Sequence, residues 1–68
     1  MQSDVLIENR GSIVVLTPMT ESGRDWFATN RIGEPWQWQG ASLCVDTRYA
    51  DDIISDLESD GLVVDPKV

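Results

Sequence analysis

The chain predicts an α+β fold in which one small single-layer sheet, built in the order β-β-α-β-α-β, packs against two helices. Three observations lead there. Short aliphatic, β-branched-rich runs recur at Val5-Leu6-Ile7, Ile13 to Leu16, Leu43-Cys44-Val45 and Leu62-Val63-Val64. Helical apolar periodicity fills the stretches before and after the third run, and Gly or Pro stands at most junctions. At 68 residues the chain is one domain, 1–68, with no room for a second core. Its composition, 41% hydrophobic and 25% charged, is that of a folding chain and not of a disordered one.

The first two runs flank Glu8-Asn9-Arg10-Gly11-Ser12, a polar segment with the Asn and Gly that tight turns use, so they read as a β-hairpin. Pro18 stops the second strand. Thr20 can cap a first helix with Glu21 in its first turn, the favourable sign at an amino-terminal dipole, and the helix should run to about Asn30. Gly23, Trp26, Phe27 and Asn30 share one face of it, with Trp26 and Phe27 as core anchors and Arg24 and Asp25 to the side; Gly23 weakens the helix by about 1 kcal/mol relative to Ala.

From Arg31 to Ser42 the breakers Gly33, Pro35 and Gly40 predict a loop with at most a short strand at Trp36-Gln37-Trp38. Asp46 or Thr47 can then cap a second helix over about Thr47 to Asp60, ended by Gly61. Tyr49, Ala50, Ile53, Ile54 and Leu57 form its apolar stripe, and Arg48 can pair with Asp52 one turn on. A last strand, Leu62 to Val64, is closed by Pro66. Because the strands are continuous apolar runs, both sheet faces should need cover, and two helices on one side would leave Leu6, Cys44 and Val63 for the tryptophan loop or another chain.

Twelve acids against five bases give a net charge of −7, which argues against direct nucleic-acid binding and against binding an anionic membrane. No apolar run approaches the roughly 20 residues of a membrane span. The start of the chain, Met1-Gln2-Ser3-Asp4, lacks the basic segment of a signal peptide. The single cysteine, Cys44, rules out an internal disulfide and reads as a small buried apolar residue; a cytoplasmic setting is therefore expected.

Chemistry has little to work with. Without histidine there is no Ser-His or Cys-His pair, no glycine pattern matches a phosphate loop or dinucleotide fingerprint, and a zinc site lacks ligands, so no enzyme activity, metal or cofactor is expected. Asp56, Glu58 and Asp60 followed by Gly61 imitate the opening of a calcium loop, but the twelfth position, where a bidentate acid is required, is Lys67. The acids themselves are uneven: residues 46–68 carry net −5 and residues 1–45 net −2. Asp52, Asp56 and Asp60 form a like-charged row that costs about 0.2–0.5 kcal/mol per pair, and Asp60 sits where the helix dipole opposes it. Asp52, Asp56, Glu58 and Asp60 are accordingly the candidate contacts to a basic partner surface, against the plainer alternative of a solvated face that keeps the chain soluble. Trp36 and Trp38, on one side of an extended segment, are the second candidate surface, either core caps or interface anchors.

The strings Ile7-Glu8-Asn9-Arg10-Gly11-Ser12-Ile13, Leu16-Thr17-Pro18-Met19-Thr20, Trp38-Gln39-Gly40, Asp46-Thr47-Arg48-Tyr49 and Asp60-Gly61-Leu62 resemble small bacterial and phage proteins to which no activity is attached. In size and acidity the chain is also similar to phage-encoded inhibitors, the anti-CRISPR and anti-restriction proteins that imitate nucleic-acid charge. That resemblance implies a non-enzymatic acidic inhibitor seated on the nucleic-acid groove of a partner protein. The alternative is a small dimeric accessory protein, a homodimer that meets its partner copy through the sheet face and the tryptophans.

Overall fold

A computed structural model of the chain describes residues 3–65. Its elements are β1 (Val5–Arg10), β2 (Ile13–Pro18), α1 (Glu21–Thr29), a 3₁₀ turn (Pro35–Gln37), β3 (Trp38–Gln39), β4 (Ser42–Asp46), α2 (Thr47–Ser59) and β5 (Val64–Asp65). The five-stranded sheet is ordered β3-β4-β2-β1-β5 and is antiparallel except where β5 runs parallel to β1. The fold is therefore α+β, with the predicted element order; inside the expected loop the short strand allowed at Trp36-Gln37-Trp38 lies at Trp38–Gln39, and the 3₁₀ turn Pro35–Gln37 comes before it. Pro66, expected to close the last strand, lies outside the described residues, as does Lys67.

The hairpin is tighter than its sequence suggested. β1 continues through the polar Glu8-Asn9-Arg10, Arg10 pairs with Ile13, and Gly11-Ser12 alone form the loop. Gly11 takes φ 83, the conformation the first position of a type II′ turn needs, and its N–H donates to the Asn9 side chain at 2.9 Å.

Both helices are capped as their sequences predict. Thr20 Oγ1 accepts from the N–H of Gly23 at 3.1 Å at the start of α1, and Asp46 Oδ1 accepts from that of Tyr49 at 2.8 Å at the start of α2. Each carboxyl end closes in a Schellman arrangement: Leu62 N–H donates to the Leu57 carbonyl and Gly61 N–H to that of Glu58, while Ile32 N–H donates to Phe27 and Arg31 N–H to Ala28. The left-handed residue is Gly61 after α2 but Arg31, at φ 52, after α1.

One face of the sheet carries the core. Val5, Ile7, Val14, Leu16, Leu43, Val45 and Val64 are buried against Trp26 and Phe27 of α1 and Ala50, Ile53, Ile54 and Leu57 of α2, in a single cluster. Tyr49 was expected on that stripe, yet it is 41% exposed, because it lies at the stripe's edge, where α2 turns to solvent. The last strand is displaced too: β5 is Val64–Asp65, while Leu62 packs against the core before it and Val63 is 39% exposed.

The other sheet face has no helix. Leu6, Val15 and Cys44 are half-buried there, with Thr17 and Ser42 joined hydroxyl to hydroxyl at 2.8 Å, and Ile13 is 42% exposed. Cys44 is thus a half-buried thiol on the open face and not the buried residue its neighbours suggested. β4 alternates between the two faces, and Cys44 falls between the buried Leu43 and Val45.

Candidate interaction surfaces

α2 supplies the acidic surface. With Ala50, Ile53, Ile54 and Leu57 fixed against the sheet, Asp51, Asp52, Asp56 and Glu58 are all exposed. At about 100° per residue, Asp52 and Asp56 lie about 40° apart on the arc opposite the core, whereas Glu58 falls on the far flank beside Asp51. The helix therefore presents two acidic ridges, Asp52 with Asp56 and Asp51 with Glu58, separated by Arg48, Ser55 and Ser59. The expected Arg48–Asp52 pair does not form: the ion pair among the described residues joins Arg10 to Glu8 at 3.4 Å. Arg48 lies on the Ser55 side of the arc, between the ridges.

Asp60 belongs to neither ridge. It is the carboxyl cap of α2, and its Oδ2 accepts a 2.6 Å hydrogen bond from the indole Nε1–H of Trp26 on α1. That bond satisfies the polar atom of a ring that is otherwise buried, and it explains an acid at a position the helix dipole disfavours. Its pairing with Asp52 and Asp56 in sequence was a coincidence of spacing.

The two loop tryptophans part company. An extended segment would have put Trp36 and Trp38 on one side, but the 3₁₀ turn Pro35–Gln37 rotates them apart. Trp36 is 78% exposed, whereas Trp38 packs against the core, its ring edge-on to Phe27 at 5.6 Å and its Nε1–H donating to the Ile32 carbonyl at 3.3 Å. Of the two, Trp36 alone stands out in solvent.

Asp4 is a residue whose role the sequence did not disclose. Its Oδ1 accepts from the Thr20 hydroxyl at 2.6 Å and its Oδ2 from the Val63 N–H at 2.9 Å, so one carboxylate joins the start of β1 to the cap of α1 and to the approach of β5. The Thr20 hydroxyl, and after it the Val63 amide, hold its pKa below the usual 3.8. No local pattern marks a residue whose partners are 16 and 59 positions away.

No group of acids, cysteine or histidine among the described residues is arranged to hold a metal ion, and no helix among them is long and apolar enough to cross a membrane. The chain matches no protein-family model, and no curated protein or solved structure is significantly similar to it.

Proposed function

We propose that the protein is a non-enzymatic, cytoplasmic interaction protein that lays the acidic outer face of α2 on a basic surface of another protein, of the kind nucleic-acid-binding proteins present. The observation that carries this reading is that Asp51, Asp52, Asp56 and Glu58 are exposed on one helix with no ion-pair partner among the described residues. A helix selected for stability alone would intersperse lysines. Carboxylates held on a rigid, capped helix offer fixed negative charge without the entropy of a flexible tail. The cytoplasmic setting rests on the free thiol of Cys44.

The test reverses Asp52, Asp56 and Glu58 to lysine together and leaves Asp60 in place, because Asp60→Lys would strip the indole of Trp26 of its acceptor. A protein captured from bacterial lysate by the wild type should be lost with the triple variant, should dissociate steeply as salt rises, and should be competed off by its own DNA or RNA. Capture of the same protein by the triple variant with unchanged salt dependence would remove the charge reading.

A second reading has its own observation, the helix-free sheet face, where Val15 pairs with Cys44 and is flanked by Ile13 along β2 and Leu6 diagonally on β1, with Glu8 and Arg10 at its border. Under it the chain is a dimeric accessory protein, and association would be apolar and insensitive to moderate salt.

A further inference from the structure

A cavity of about 400 Å³ opens beside the carboxyl end of α1, between that helix and the β3–β4 hairpin. Its walls are mainly apolar, with the rings of Phe27 and Trp38 beside Ile32 and Pro18. The wall is held firmly, since Trp38 meets Phe27 edge-on and its indole N–H is tied to the Ile32 carbonyl. Arg24 and Arg31 line the same cavity. Arg24 comes from α1 itself and Arg31 from the left-handed turn that closes it, so two of the five bases in a chain of net charge −7 converge on one apolar hollow. The ion pair among the described residues, Arg10–Glu8, involves neither of them.

Arg31 is also the residue that breaks the backbone pattern. Positive φ occurs at Gly11, Gly33, Gly40 and Gly61, where glycine adopts it without strain, and at Arg31, where a side chain does not. A cation just past a helix end complements the dipole, but any basic residue in the last turn would do that without left-handed backbone. The Schellman close of α1 demands that conformation at position 31, and glycine would meet the demand without strain, so the arginine side chain is kept there at some cost and lines the cavity.

We propose that this cavity binds a small aromatic monocarboxylate, its ring against the single wall that Phe27 and Trp38 form together and its carboxylate between the guanidinium groups of Arg24 and Arg31. Planar guanidinium groups suit both parts of such a ligand, since they pair with carboxylate in a fork and stack on aromatic faces. The volume is in the range of pockets that take small molecules.

The test titrates the full chain with 2-naphthoate, and separately with the neutral 2-naphthalenemethanol, following backbone amide shifts. Naphthoate should shift the signals around Phe27, Ile32 and Trp38 and bind about tenfold or more tightly than the alcohol. Arg24→Gln and Arg31→Gly should each weaken naphthoate about fivefold or more and leave the alcohol unchanged. Arg31→Gly should at the same time raise the melting temperature, because it removes the backbone strain, so a loss of binding there cannot be put down to unfolding. Equal affinity for the acid and the alcohol, unchanged binding in both arginine variants, or shifts scattered away from the cavity would each overturn the proposal.

Discussion

Gly23 looks, in sequence, like a weak point of α1, worth about 1 kcal/mol less than alanine in a helix. Its neighbours reverse that judgement. Gly23 is buried, and a Cβ built on it would run into the backbone carbonyl oxygen of Asp4, which cannot swing away as a side-chain tip can. That carbonyl already accepts the N–H of Met19 at 2.7 Å, so the strand and the entry to the helix are locked together there. Gly23→Ala should therefore destabilise the protein by about 1–3 kcal/mol despite its better helix propensity, read as a lower midpoint in chemical denaturation. A higher midpoint would mean that β1 and α1 can separate at no cost. Trp26 and Asp60 teach the same lesson in polar form: each has an ordinary local description, and their bond across 34 positions is what gives the acid its place.

Between elements, the joints are made by few side chains. Thr47 Oγ1 reaches the carbonyls of Gly11 and Ser12 at 3.3 and 3.4 Å, fastening the start of α2 to the β1–β2 hairpin. Asp4 fastens three elements, and its charge makes that joint sensitive to acid. Its folded pKa lies below 3.8, so ionised Asp4 contributes stability that is fully present above the unfolded value and is lost as the pH falls through the folded one. Asp4→Asn should be less stable than the wild type at neutral pH, because an amide offers one acceptor where two are used. The gap between the two should narrow below about pH 4, measured as denaturation midpoints at a series of pH values. A gap that stays constant down to about pH 2 would show that the charge of Asp4 is immaterial to the joint.

On the scale of the molecule, the asymmetry of the sheet is the dominant fact. Two helices cover one face, and the edges are blunted by two-residue strands, β3 and β5, that offer little to an added strand. The uncovered face is where an apolar association would occur. If it forms a homodimer, sedimentation at micromolar concentration should give a dimer that Val15→Lys converts to monomer without loss of the fold, since Val15 is half-buried beside Cys44 and Glu8 on the open side. A wild type that sediments as a monomer at about 100 μM or more would leave Leu6, Val15 and Cys44 as a solvent-facing sheet surface and the acidic helix as the working one.

The fold class, the two helices with their caps and the order of elements were determined locally. Apolar period, a capping Thr20 or Asp46, and Gly61 at a left-handed position act within a few residues, so they are legible along the chain. The acids of α2 were legible in the same way, as a surplus that helix stability does not explain. What tertiary structure alone decided is which of them remain free. Asp60 is drawn to Trp26, Trp38 is taken into the core while Trp36 is left outside, and Arg24 and Arg31 are brought around a cavity whose far wall comes from β3 and its approach. Each of these depends on a partner distant in sequence or on the rotation of a short 3₁₀ turn, and no local preference encodes either.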